Sequence, residues 1–103
     1  NKGHLEIEYT KDSINYTDTY EGGFKNNQLI EGKLKKYYTK NNITDIDTYE
    51  GDFENNQLIK GKLIKEYTKN GIKYIDSYKV NTKDNKINKK IYKKCKIIKD
   101  NLN

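Results

Sequence analysis

The sequence predicts an all-β fold, an open, solenoid-like array of antiparallel β-hairpins made from tandem repeats. Three observations predict it. Residues 20–48 and 49–77 are abutting copies of one 29-residue unit, identical at 20 positions. Asn70-Gly71, the strongest short-range hairpin signal, separates two runs rich in Ile, Tyr and Lys. One set of alternating positions repeats between the copies while the other drifts, as expected of a sheet with one packed face. Self-similarity at such a period signals stacked units, each unable to bury its apolar face alone.

The elements follow in order. Residues 1–19 are the back part of an earlier copy, and the array comprises 1–78. Residues 79–103 form a basic tail or decayed capping repeat. Taking Asn70-Gly71 as a two-residue turn places Tyr67 opposite Tyr74, Lys65 opposite Asp76, Leu63 opposite Tyr78 and Gly61 opposite Val80. The same register through Asn41-Asn42 pairs Tyr38 with Asp45, Lys36 with Asp47, Leu34 with Tyr49 and Gly32 with Gly51. Through Asp12-Ser13 it pairs Tyr9 with Tyr16, Ile7 with Asp18, Leu5 with Tyr20 and Gly3 with Gly22.

The repeating positions Tyr20, Gly22, Phe24, Leu34, Tyr49, Gly51, Phe53, Leu63 and Tyr78 then share one face. Glycine in a strand marks close backbone approach or a bend; here it is expected to let Tyr and Phe rings of an adjacent hairpin lie on the backbone. Asn26-Asn27-Gln28 and Asn55-Asn56-Gln57 form the reversals into the next hairpin. Pairs on the other face, such as Glu66–Ile75 and Lys62–Lys79, vary, so Lys62 and Glu66 are expected to behave as surface sites.

The unit resembles the MORN (membrane occupation and recognition nexus) repeat. Tyr20-Glu21-Gly22-Gly23-Phe24 with Asn27 and Gly32, and Tyr49-Glu50-Gly51-Asp52-Phe53 with Asn56 and Gly61, carry the resemblance. Asn70-Gly71 before the next Tyr fits as well. The likeness covers residues 3–79, as a divergent variant with a longer period. It implies a hairpin stack that docks partners, and it brings no cofactor.

Composition narrows the rest. Ile, Leu, Val and Phe account for 22 of 103 residues, near the ~20% below which chains stay disordered. Ten tyrosines add the buried area that tips the balance towards folding. The chain has 21 Lys and 14 Asn, and no Arg, Ala, Pro, Trp or Met, a bias that an A/T-rich genome accounts for. It begins within a repeat, which is expected of a fragment or processed product. No run approaches the ~18 apolar residues of a membrane-spanning helix. A lone cysteine, Cys95, precludes an intrachain disulfide and fits a reducing compartment, so a cytoplasmic location is expected.

Charge is uneven. Residues 1–78 hold 12 Lys against 13 acids, and residues 79–103 hold 9 Lys against 2 Asp. Lys89, Lys90, Lys93, Lys94, Lys96 and Lys99 are therefore the candidate contacts for a partner or an anionic surface, at ~1 kcal/mol per Lys near a membrane. The absence of Arg argues against sequence-specific nucleic-acid reading. The tail itself reads in two ways. With one residue deleted, it overlays the second copy as a decayed strand pair. Alternatively, Ile87, Ile91, Cys95, Ile98 and Leu102 have helical spacing.

No catalytic constellation emerges. His4 is the only histidine and falls on the drifting face. Asp18, Asp47 and Asp76 recur, but Lys36 faces Asp47 and Lys65 faces Asp76. A cross-strand ion pair of ~0.2–1 kcal/mol explains that recurrence. Catalytic, cofactor and metal residues are thus all expected to be none. The function expected is a non-enzymatic module for protein–protein interaction or scaffolding, with homo-oligomers reachable through the array ends. The alternatives are a peripheral-membrane module that uses the lysine tail and an accessory part of a larger enzyme.

Overall fold

The computed structural model describes residues 2–82 and, in the C-terminal stretch, the strands at 90–91 and 96–99. Six long strands run up and down in sequence order: β1 (Lys2–Lys11), β2 (Ile14–Lys25), β3 (Gln28–Lys40), β4 (Ile43–Glu54), β5 (Gln57–Lys69) and β6 (Ile72–Asn81). Each pairs antiparallel with the next in one open sheet, and the described residues contain no helix. The fold is therefore the all-β hairpin array that the repeat implies.

Every hairpin pair expected from the three turns is present, from Gly3–Gly22 and Leu5–Tyr20 to Leu63–Tyr78 and Gly61–Val80. The cause is local. All five turns hold two residues at positive φ, between 53° and 75°, the twin left-handed conformation of a type I′ turn. Asn, Asp and glycine accept it most readily. The reversals at Asn26-Asn27 and Asn55-Asn56 belong to the same class. They take two residues rather than three, and Gln28 and Gln57 already open β3 and β5.

One feature of the ladder lies outside the sequence expectations. β2 and β4 have 12 residues, whereas β3 and β5 have 13. Phe24 faces Leu29 and Gly23 faces Glu31, so Ile30 is an unpaired bulge; Ile59 is its counterpart between Leu58 and Lys60. A period of 29 residues is odd, and a one-residue shift moves a side chain to the other face. Without the bulge, equivalent residues would alternate faces from copy to copy. The bulge keeps Tyr20 and Tyr49 in one row.

The glycine row runs beside the bulge. Gly22, Gly32, Gly51 and Gly61 have φ between 132° and 149°, a region nearly closed to other residues. A Cβ at Gly51 would strike the Lys60 carbonyl and lie 2.8 Å from Gly61 Cα. At these four positions the nearest atoms are backbone of the paired strand, so the expected ring-on-glycine packing is not what demands glycine there. Gly3 does meet a ring, with Phe24 at 3.3 Å from its Cβ position.

A bulge favours a bend in its strand, and residues at the hairpin tips contact the preceding repeat. Leu29, Leu34 and Phe53 form the buried cluster, with Tyr20, Phe24, Tyr49 and Leu58 packed around it. Phe53 of one copy thus covers Leu29 and Leu34 of the copy before. Asn56 Oδ1 also accepts the Leu29 N–H at 3.4 Å. The core is thin, and it lies entirely on the repeating face.

The opposite face is less uniform than its variable sequence implies. Lys62 is exposed as expected, but Glu66 is half-buried and Thr48 is 7% exposed. Thr48 sits between Lys35 and Ile64 on the flanking strands, and strands only ~4.8 Å apart let longer neighbours shield a small side chain. Burial there comes from within the sheet, with no second layer among the described residues.

The two ends of the array differ. All of β1 is exposed, and its outer edge pairs with no other described strand. On β6 the outer edge pairs with β7 (Lys90–Ile91) and β8 (Lys96–Lys99). Tyr78 pairs with Ile91 as Tyr49 does with Leu63, the pairing that the one-residue deletion implies. Ile91 and Ile98 lie in strands, which removes the helical alternative at those two positions. Ile87, Cys95 and Leu102 lie outside the described residues.

Candidate functional site

The repeating face carries two polar and aromatic rows above the Leu–Tyr row. The first is Ile7, Asp18, Lys36, Asp47, Lys65 and Asp76, and Tyr9, Tyr16, Tyr38, Asp45, Tyr67 and Tyr74 lie beyond it along the strands. Each aspartate of the first row takes a hydroxyl from the strand before it. Tyr9 donates to Asp18 at 3.0 Å, Tyr38 to Asp47 at 2.6 Å and Tyr67 to Asp76 at 2.8 Å, always at Oδ2.

The lysines choose partners other than those expected. Lys36 bridges Asp18 at 3.1 Å and Lys65 bridges Asp47 at 3.2 Å, rather than Asp47 and Asp76 across the hairpin. Both candidates lie directly opposite, so spacing decides. A two-residue turn closes with a hydrogen-bonded pair, which makes Lys36–Asp47 a hydrogen-bonded, wide pair. Alternation along the ladder leaves Lys36–Asp18 a non-hydrogen-bonded pair, whose side chains sit closer. Lysine takes the nearer carboxylate, and the tyrosine serves the other.

These contacts set the protonation states. Burial, followed by the hydrogen bond to Asp47 and its charge, holds the Tyr38 hydroxyl far above the ordinary tyrosine range. Burial and Asp47 raise Tyr49, and burial and Asp18 raise Tyr20. For Lys36, burial pulls downward, but hydrogen bonds to Tyr9 and Asp18 outweigh it and leave the ammonium raised. Tyr38 and Lys36 are thus held as protonated donors to Asp47 and Asp18.

The aromatic row has a gap. Tyr9 and Tyr16 stack at 4.9 Å, Tyr16 meets Tyr38 at 5.2 Å, and Tyr67 stacks on Tyr74 at 5.4 Å. In the middle copy Asp45 replaces the tyrosine. There the ladder also stops early: β2 and β3 pair through Tyr16–Tyr38 and Asn15–Thr39, whereas β4 and β5 pair only to Ile46–Glu66. A cleft of about 530 Å³ opens at this corner, lined by Tyr38, Asp45, Asp47, Lys65 and Tyr67, with Ile43 and Lys40 at its rim. Asp45 Oδ1 is buried and has no hydrogen-bond partner. Sequence comparison of the copies carries the signal, since Tyr16 and Tyr74 align with Asp45, but it does not show that the strands part.

Of the residues singled out beforehand, Tyr20, Leu34, Tyr49, Leu63 and Tyr78 form one row across the sheet, with Gly22 and Gly51 in the glycine row and Phe24 and Phe53 at the bent tips. Lys90, Lys96 and Lys99 fall in strands that edge β6. Lys89, Lys93 and Lys94 lie outside the described residues. Among the described residues, no group of three His, Cys, Asp or Glu could hold a metal ion. Comparison with known protein families, with curated proteins and with solved structures finds no match to this chain.

Proposed function

We propose that the chain is a non-enzymatic, MORN-like repeat module that binds a protein partner, or scaffolds an assembly, through its tyrosine face. The observation that carries this reading is the interrupted aromatic row, in which a regular array of rings and paired charges opens into one cleft. An extended repeat surface suits docking, because it presents similar groups at fixed spacing along the array. Each first-row carboxylate accepts a tyrosine hydroxyl at Oδ2, and burial holds the Tyr20, Tyr38 and Tyr49 hydroxyls above the ordinary tyrosine range, a chemistry of recognition rather than turnover.

Photo-crosslinking in the cells that make the protein tests the reading. A benzophenone side chain at Lys40 or Ile43, on the cleft rim, is expected to capture a discrete protein. The same probe at Glu21, exposed on the opposite face, is not. Equal capture from both faces, or capture of lipid alone, refutes a protein-binding tyrosine face.

A further inference from the structure

We infer that the cleft at Asp45 is a receptor for a guanidinium group, an arginine side chain that a partner protein inserts between Tyr38 and Tyr67. The source of the arginine rests on the protein-binding reading above; the chemistry of the cleft does not. The position is defined by what the other copies place there. In the first copy, the Tyr16 ring sits between Tyr9 and Tyr38, and in the third, Tyr74 lies on Tyr67. In the middle copy Asp45 stands at that position, and the strands have parted beside it. What is missing is a flat group of ring size.

The walls specify more than flatness. Asp45 lines the cleft; its Oδ1 is closed to solvent and has no hydrogen-bond partner, so a donor in the cleft reaches it only as the carboxylate turns outward, a turn that an unpaired buried oxygen favours. The one O–H of Tyr38 is spent on Asp47 Oδ2, and the Lys65 ammonium is drawn to that same oxygen at 3.2 Å; neither donates to Asp45 Oδ1. A guanidinium satisfies both demands at once: it is planar, it stacks on aromatic faces, and its fork of N–H donors matches a carboxylate. An ammonium is compact and strongly hydrated and cannot fill the place of a ring. The chain's 21 basic residues are all Lys, with no Arg. It therefore has no guanidinium of its own, and the group must come from another molecule.

The experiment is an NMR titration of the whole chain with N-acetyl-arginine methylamide, in parallel with the lysine analogue and with N-acetyl-tyrosine amide. Saturable shifts at the amides of Tyr38, Asp45 and Tyr67 are expected, with a dissociation constant in the millimolar range natural to one side chain. The lysine and tyrosine probes should bind at least about tenfold more weakly. Asp45→Asn, which keeps the shape and removes the charge, should weaken the arginine probe about tenfold or more. Asp45→Tyr, which restores the ring of the other copies, should abolish binding while the rest of the spectrum stays in place. Equal response to lysine, an unchanged Asp45→Asn titration, or shifts scattered over acidic residues without saturation would overturn the assignment. Arginine binding without any crosslinked protein would remove the protein-partner reading and leave the cleft. Crosslinking at Ile43 that persists in Asp45→Tyr would remove the cleft and leave that reading.

Discussion

The β2–β3 and β4–β5 ladders are copies of one unit, alike at the turn end and different at the other. At the turn end both have a two-residue Asn-Asn turn, a bulged isoleucine, a Gly–Gly pair and a Phe. At the far end the first stays paired to Asn15–Thr39, while the second stops at Ile46–Glu66. The turn end is where geometry leaves no choice, because positive φ and near backbone contact admit few residues. At the far end an aspartate stands where other copies have tyrosine, and the turn end keeps its register. An array of this kind keeps its scaffold at one margin and is free to vary its surface at the other.

The largest effect should show that the turn end is equally strict in both copies. Gly22→Val and Gly51→Val each force a Cβ onto the carbonyl of the paired strand at a φ near 145°. Backbone strain of ~1–3 kcal/mol adds to overpacking of a similar size, enough to unfold most of a marginally stable domain. Gly71→Asn, in a turn with nothing within 4 Å of its Cβ position, should be nearly silent. A well-dispersed spectrum from Gly51→Val would break the equivalence.

Next come the two phenylalanines, which occupy the same repeat position but not the same environment. Phe53 is 4% exposed and belongs to the buried cluster with Leu29 and Leu34, whereas Phe24 is half-buried, packed at the margin of that cluster and over Gly3 of the edge strand. Phe53→Ala should cost ~3–5 kcal/mol, as for a buried aromatic, and Phe24→Ala roughly half of that. Denaturant midpoints would measure both; equal shifts would mean that neighbouring copies add nothing to burial.

How much of this was legible in the sequence depends on distance from a turn. Asn70-Gly71 set the register as far as Gly61–Val80, because alternation along a ladder carries no free parameter. The bulge was also legible, since an odd period cannot keep equivalent residues on one face without an extra residue, but the repeat was not read that way. The partners of Lys36 and Lys65 were not legible from opposition alone, because each faces a carboxylate on both sides. Only the alternation of wide and narrow pairs separates them. The Asp45 substitution was visible in the aligned copies, whereas the parting of β4 from β5 beside it is a property of the assembled sheet.

The ion pairs give a smaller contrast, and pH exposes it. The Lys36 side chain is 27% exposed beside an Asp18 side chain 6% exposed, against 41% for Lys65. Asp18 also keeps an unpartnered Oδ1. Lys36→Gln should therefore cost more, ~1–2 kcal/mol, than Lys65→Gln at ~0.5–1 kcal/mol, by chemical denaturation. Tyr20, Tyr38 and Tyr49 ionise less readily folded than unfolded, so above the ordinary tyrosine value of ~10 the folded chain binds more protons than the unfolded one. Stability then falls as pH rises. The raised ammonium of Lys36 acts in the same sense, with its contribution complete below ~10.4 and lost as pH climbs through its folded value. Melting temperatures flat from pH 7 to 9 and falling above ~10 are expected, and Tyr38→Phe should flatten the fall.

The smallest effect is a gain, and it tests whether the gap at Asp45 is a tolerated defect of the scaffold. Asp45→Tyr places a ring opposite Tyr38, as Tyr16 lies opposite Tyr9 and Tyr74 opposite Tyr67, and it removes a buried carboxylate oxygen with no partner. An aromatic cross-strand pair contributes ~0.5–1 kcal/mol, and losing an unsatisfied oxygen adds in the same direction. Against this stands the cost of closing β4 back onto β5 over two further pairs, which further restricts residues now held by one neighbouring strand only. The balance should be a rise in stability of about 0.5–1 kcal/mol, with amide protection extended to Thr44 and Thr68. Hydrogen exchange at those two amides is the sharper measurement. If protection stays absent while stability rises, the ring has packed without mending the ladder, and the parting of the strands then has a cause other than Asp45.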